Sequence, residues 1–256
     1  MPYAAVNGLR LYYEEEGTGP PLVLLSGATM VLDSAMRGGW ASLRPFLAQR
    51  FHVVQFDQRG HGRTDNPGGG DAYAPATLAA DAAALIEQLG LAPVHVAGWS
   101  EGGIVGLGLA LDHPSVLRSL IGIGVNYTND ARTVAELATL DPDGLERDRP
   151  AVATALAQRH DPHHEPGYWK ELLRWIVASE TDVPAYTAAD LARITEPTLW
   201  IAGDDDPWFE LSQPLALKQH IPRAELLIVN CAGHAVQQTH PHLVGPVMLD
   251  FLTRHY

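Results

Sequence analysis

Three short stretches hold the side chains whose types and spacing could do chemistry. In "VAGWSEGG" (96–103), Ser100 stands two residues after Gly98 and two before Gly102. In "AGDDDPWF" (202–209), Asp204, Asp205 and Asp206 follow one another. In "NCAGHAV" (230–236), His234 follows Ala232-Gly233. A serine hydroxyl at its ordinary pKa is a weak nucleophile. It becomes effective when a histidine takes its proton and a carboxylate orients that histidine. Serine, acid and histidine stand here in one of the chain orders in which such a constellation occurs. The glycine spacing has a mechanical reason. A sharp strand–turn–helix puts the serine into a strained backbone conformation, and side chains two before and two after would then collide. The same turn leaves the Glu101 N–H at a helix N-terminus, where it can stabilise an oxyanion. The chemistry this predicts is acyl transfer.

These side chains need elements that bring them together. "PPLVLLSG" (20–27), "FHVVQFD" (51–57), "VHVAGW" (94–99), "LRSLIGIG" (117–124), "PTLWIAG" (197–203) and "AELLIVN" (224–230) are apolar runs, as expected of strands buried on both faces; "LRLYYEEE" (9–16) alternates like a more exposed strand. Helix-like segments separate them: "TLAADAAALIEQLG" (77–90), ending at the capping residue Gly90, residues 101–112, and a terminal helix from about Pro246. Such alternation predicts a parallel sheet covered on both faces, with catalytic groups at the C-terminal strand ends. Ser100, the three aspartates and His234 all fall at such ends. The alternation fails between about Asn126 and Arg193, where "TVAELATL", "RPAVATALAQRH" and "PGYWKELLRWIVASE" read as helices. The expected organisation is a core of residues 1–125 and 193–256 with a helical cap, 126–192, inserted between two core strands. "NPGGGDAYAP" (66–75) reads as a loop.

Composition narrows the function classes. The chain has 256 residues and a formal net charge of −13, which argues against a nucleic-acid or anionic-membrane surface, since both need clustered Lys and Arg. Cys231 is the single cysteine, so there is no internal disulfide and no multi-cysteine metal site. No apolar run approaches the roughly 18 residues of a membrane span, and the first residues lack the basic start and apolar stretch of a signal peptide. A cytoplasmic location is the resulting expectation. The sequence does not specify an oligomeric state.

Taken together, "NGLRLYYEEEGTGPPLVLLSG", "FDQRGHGRTDNP", "AGWSEGG", "PTLWIAGDDDP" and "NCAGHAVQQTHP" resemble the α/β-hydrolase superfamily over nearly the whole chain. The resemblance implies a mostly parallel eight-stranded sheet and a Ser–His–acid triad. It points to Ser100, His234 and, three residues after Gly203, Asp206. Asp204 and Asp205 are the competing acids, and Asp130 is the candidate for a minority arrangement with the acid after the preceding strand. The second oxyanion N–H is implied in the loop after the strand at 20–25, by position at Ala28. That loop usually begins His-Gly in the family; here Ser26 replaces the histidine while Gly27 remains. Glu101 is also unusual. Its carboxylate could contact a substrate amine or tune His234, or it could simply face a polar environment in the first helical turn, where the dipole favours an acid by about 0.3–1 kcal/mol when exposed.

Thr29, Trp99, Tyr127, Trp169, Trp208 and Phe209 are the candidate pocket residues. His61 in "RGHGRT" is read as shaping a tight loop, His95 as structural within a strand, and "RHDPHHE" (159–165) as a solvated cap loop and not a metal site. The expected activity is hydrolysis of a small to medium, apolar or aromatic ester or lactone through an acyl-enzyme on Ser100, with water as co-substrate and with no metal or organic cofactor. Hydrolysis of a carbon–carbon bond in a β-diketone-type substrate, a cofactor-free perhydrolase or haloperoxidase-like reaction, and a non-enzymatic small-molecule receptor are the alternatives on the same fold. Relatives of this fold that use an aspartate nucleophile are disfavoured by Ser100.

Overall fold

The computed structural model describes residues 2–32, 35 and 37–256. Its strands are β1 (Tyr3–Val6), β2 (Leu9–Glu16), β3 (Pro21–Leu25), β4 (His52–Phe56), β5 (Val94–Trp99), β6 (Leu117–Ile123), β7 (Thr198–Gly203) and β8 (Ala224–Val229). They form one sheet of order β1-β2-β4-β3-β5-β6-β7-β8. β1 and β2 pair antiparallel, as do β2 and β4, and the remaining neighbours are parallel. The expected mostly parallel, eight-stranded architecture is therefore present. Seven of these strands are the sequence runs. β1 is the addition, a four-residue edge strand that folds back on β2 through Asn7-Gly8, both at positive φ.

The apolar runs are continuous because the central strands have no solvent face. Along β3, Leu22 and Leu24 enter the core layer on one side, while Val23 and Leu25 enter the other; β5 is buried throughout. Helices α1 (Arg44–Leu47), α2 (Pro75–Gln88) and α3 (Glu101–Asp112) accompany the first half of the chain. Gly90, at φ 66, ends α2 as expected, and the Leu91 N–H closes back on the Ile86 carbonyl. Between β6 and β7 lie α4 (Ala131–Leu137), α5 (Pro142–Asp148), α6 (Pro150–His160), α7 (Tyr168–Asp182) and α8 (Ala188–Leu191). They have a small core of their own around Leu145, Leu156, Trp169 and Leu173.

After β7 come α9 (Ser212–His220), α10 (Val236–Thr239) and α11 (Pro241–Arg254). The terminal helix starts at Pro241, not near Pro246. Pro241 occupies the first helical position, where its missing N–H costs nothing, and Pro246 is accommodated inside the helix. The stretch 66–75 is a loop as read, apart from one 3₁₀ turn at Gly69–Ala72.

Candidate active site

β5 ends at Trp99 and α3 begins at Glu101, so the chain reverses at Ser100, with φ 55 and ψ −125. A positive φ is costly for a non-glycine residue, and the surroundings must hold it. The small residues make this geometry feasible. A Cβ on Gly98 would lie 2.2 Å from the Gly102 carbonyl oxygen, and one on Gly102 would lie 2.5 Å from the Leu25 carbonyl oxygen. Gly103 is needed as well, since a Cβ there would meet Val125 Cγ2 at 2.1 Å.

Asp206 and His234 follow the ends of β7 and β8. His234 Nδ1 lies 2.9 Å from Asp206 Oδ2. With its proton on Nδ1, directed at the carboxylate, the ring leaves Nε2 as the acceptor. Asp206 is buried, and its other oxygen accepts the Trp208 N–H at 2.9 Å. The competing acids are engaged elsewhere: Asp204 accepts from the Ala232 N–H, Asp205 is exposed, and Asp130 caps α4 through the Thr133 N–H while also accepting the Glu210 N–H. The rings of Trp99, Trp208 and Phe209 surround the His234 imidazole at centroid distances of 5.7–5.9 Å, and Trp99 Nε1–H donates to the His234 carbonyl. Helix α4 braces the acid loop from the other side: Arg132 donates to the carbonyls of Asp206 and Phe209, and Thr133 to that of Trp208.

Ser100 and His234 face one cavity of about 530 Å³, together with Ala28, Thr29, Trp99 and Trp208. A smaller adjoining space brings in Phe209. Two expected pocket residues are absent from both. Tyr127 packs against the main core, its backbone tied to Gln213 and Tyr186. Trp169 is buried in the core of the inserted helices. Tyr127 lies in the irregular chain between β6 and α4 and Trp169 on α7, and for both rings burial against the nearest apolar layer outweighs lining a cavity. Among the described residues, neither the Ala28 nor the Glu101 N–H donates to another group, which leaves both available to a ligand.

The loop carrying Ala28 is supported in a way the sequence did not disclose. Thr29 sits at φ 62. Its N–H donates to His61 Nε2 at 3.1 Å, and its carbonyl accepts from His160 Nε2 at 3.1 Å. Burial lowers the His61 pKa to about 4 and holds His160 well below the ordinary histidine value, so His61 stays neutral and can accept. The expectation of a solvated loop at 159–165 is thus corrected for His160, Asp161 and His164, while Pro162, His163 and Glu165 are exposed as expected. His160 is fully buried, receives the Gly62 N–H on Nδ1, and packs edge-on against His61; His164 stacks on Tyr168 and bonds the Gly62 carbonyl; Asp161 caps the start of α7. These side chains are consumed by packing, and among the described residues no cluster of metal-ligand type occurs. Ser26, where the family resemblance implied a histidine, is buried. Its Oγ accepts from Gln55 Nε2 and its carbonyl from Gln58 Nε2. Gly38 packs close against it, since a Cβ there would lie 1.9 Å from Ser26 Oγ. His95, as expected, is structural and bonds Ser119 Oγ within the sheet.

The Glu101 carboxylate is turned away from the cavity into the protein. Oε1 accepts from Tyr73 Oη at 2.6 Å and Oε2 from Gln58 Nε2 at 3.0 Å. Burial outweighs these bonds and raises its pKa to about 7. Glu180, which lines the cavity next to Ser100, is raised well above the ordinary value by burial and by the Glu101 charge. A carboxyl with a raised folded-state pKa keeps a proton that the unfolded chain has released. Stability is therefore fully present below about pH 4.5, declines as pH rises to about 7, and is level above that. For Glu101 the total is about 3 kcal/mol, at 1.36 kcal/mol per pKa unit. Glu101→Gln is expected to remove this dependence. In urea unfolding the variant should gain on the parent protein between pH 5 and pH 8, and parallel pH curves would show that Glu101 carries no such shift.

The comparisons with known proteins agree with this fold. Residues 22–246 match the model of the alpha/beta hydrolase family. A RutD protein of Pseudomonas syringae pv. syringae, whose name assigns it provisionally to carbamate hydrolysis, is 32% identical over 83% of this chain and 89% of its own. The enol-lactonase of Burkholderia xenovorans LB400 superposes with a TM-score of 0.75 at 25% identity, covering 98% of this chain and all of that one. Est816, described as an N-acyl homoserine lactone degrading enzyme, gives 0.76 at 27% identity with the same coverage. Among the described residues no helix is long and apolar enough to cross a membrane. The chain belongs to the alpha/beta hydrolase family.

Proposed function

We propose that this hydrolase cleaves a carboxylic ester or lactone of a small to medium, largely apolar substrate through an acyl-enzyme on Ser100, with 126–192 acting as the cap over the pocket. The observation that carries this reading is the His234–Asp206 pair facing the same cavity as Ser100. His234 Nε2 takes the Ser100 proton as Oγ bonds to the carbonyl carbon. The N–H groups of Ala28 and Glu101 hold the resulting oxyanion, each such donor being worth on the order of 2.7–4 kcal/mol. The imidazolium, stabilised by Asp206, passes its proton to the departing alkoxide as the C–O bond breaks. Water then attacks the acyl carbon by the same route, giving the acid and free Ser100. For a lactone, the alkoxide remains attached and the product is a hydroxy acid. No step calls on a metal or an organic cofactor, and the reactants are the ester or lactone and water.

A lining of leucine, isoleucine and tryptophan around the Ser100 cavity suits an apolar acyl or aryl group. The names of two structural neighbours support the lactone side of the reading. Carbamates are the second reading, favoured by the RutD relatives; they present the same carbonyl to the same serine. The test is a product screen under substrate excess with esters, lactones, carbamates and β-diketones. Repeated turnover of an ester or lactone is the expected result. A single stoichiometric burst would indicate a receptor, and turnover confined to carbamates or β-diketones would reassign the reaction.

A further inference from the structure

Among the described residues, the guanidinium of Arg159 in the active-site cavity has no anionic partner. On α6, Ala151, Val152, Ala155 and Leu156 face the cavity, and Arg159 is the last residue of that face. Its guanidinium is half-buried, and burial alone pulls its pKa below the ordinary arginine value. Among the described residues its one polar interaction runs from Nη1 to Met30 Sδ at 3.6 Å, and thioether sulfur is a weak acceptor. Among the described residues no carboxylate lies within ion-pair distance of it. Glu180 shares the cavity but stands where it merges with the smaller space beside Ser100, Trp208 and His234, which Arg159 does not reach.

An unpaired guanidinium in an apolar cavity is expensive to maintain, and an anion entering the cavity removes that expense. Its place is also fixed. The next residue, His160, is buried and bonded to the Thr29 carbonyl and the Gly62 N–H. Arg159 therefore stands over the loop that carries the Ala28 N–H. The planar fork of an arginine matches a carboxylate with two parallel N–H bonds. One guanidinium balances a monoanion. A phosphate dianion would be left half-neutralised.

We propose that Arg159 forms a carboxylate-binding subsite and that the natural substrate is an ester or lactone bearing a free carboxylate, directed toward Met30 when the carbonyl lies at Ser100. This rests on the acyl-transfer reading for the chemistry, but the subsite can be tested apart from it.

Calorimetric titration of the parent protein, Arg159→Lys and Arg159→Met with succinate, glutarate and adipate reads the subsite without catalysis. At least one diacid is expected to bind the parent at low millimolar concentration, more weakly to the Lys variant, and at least about tenfold more weakly to the Met variant. Binding of none, or equal binding to all three proteins, overturns the subsite. In kinetics, mono-p-nitrophenyl esters of the same diacids are compared with p-nitrophenyl esters of chain-matched fatty acids. The charged-to-neutral ratio of kcat/KM should fall at least about tenfold in Arg159→Met, through KM, with partial recovery in Arg159→Lys. An equal fall on both ester types, seated in kcat, would instead make Arg159 a general electrostatic aid to the oxyanion and overturn the proposal. If none of these esters is turned over, the acyl-transfer reading fails, and the titration still decides the subsite.

Discussion

Ser100→Ala is expected to lower kcat for short p-nitrophenyl esters by at least about 10⁴-fold, with an unchanged thermal melt. The two halves of this expectation have separate physical grounds. The activity falls because no other hydroxyl stands at the turn, so His234 has no proton to take and no covalent intermediate forms. The fold persists because Ser100 contributes little to it. Its side chain makes no capping hydrogen bond to α3, and alanine tolerates φ 55 about as poorly as serine does, so the backbone strain is unchanged. Steady-state rates and a circular-dichroism melt read the two halves independently. Undiminished hydrolysis by a folded variant would remove Ser100 from the chemistry.

Asp206→Asn should cost nearly as much, about 10⁴-fold in kcat. Both carboxylate oxygens are engaged, one with the Trp208 N–H and one with His234 Nδ1. An amide of the same shape has one acceptor and one donor. It either opposes the Trp208 N–H with its own NH₂ or presents that NH₂ to the ring. The second arrangement forces the proton onto Nε2, where it blocks acceptance from Ser100. Asp204→Asn retains an oxygen for the Ala232 N–H, and Asp205 is exposed, so each of these changes should stay within about tenfold of the parent. Steady-state kinetics on the three variants orders them, and a larger loss from Asp204 or Asp205 would move the acid.

The readability of these features followed the range of the forces behind them. Strands buried on both faces announce themselves as apolar runs, because every position along β3 and β5 meets a core layer. β1 did not, since four alternating residues at a sheet edge carry too little signal. The turn at Ser100 was legible because part of its constraint is local: Gly98 answers a clash with the Gly102 backbone four residues on, although Gly102 and Gly103 yield to Leu25 and Val125 from distant parts of the chain. The choice of Asp206 among three aspartates came from the family resemblance and not from chemistry visible in the residues. The pairing of His61 and His160 around Thr29 joins positions about a hundred residues apart, and nothing in either neighbourhood signals the other. The same holds for Arg132, which braces the acid loop from α4. Tyr127 and Trp169 failed as pocket residues for a related reason. An aromatic ring reads alike in sequence whether it meets a cavity or a core.

The clamp on Thr29 joins parts of the molecule that would otherwise move separately. His61 belongs to the loop after β4, while His160 ends α6 in the inserted segment, and each holds one side of the same strained residue. An outward swing of α6 to admit a substrate must break the His160–Thr29 bond, and Thr29 then loses half of what keeps it at φ 62. The adjacent Ala28 N–H loses its aim in the same movement. Opening the entrance and dismantling the anion-receiving loop are thus a single event, and the closed position is the one in which that loop is assembled. Substrates slim enough to enter without displacing α6 would meet a site already formed, whereas bulkier ones would have to rebuild it around themselves.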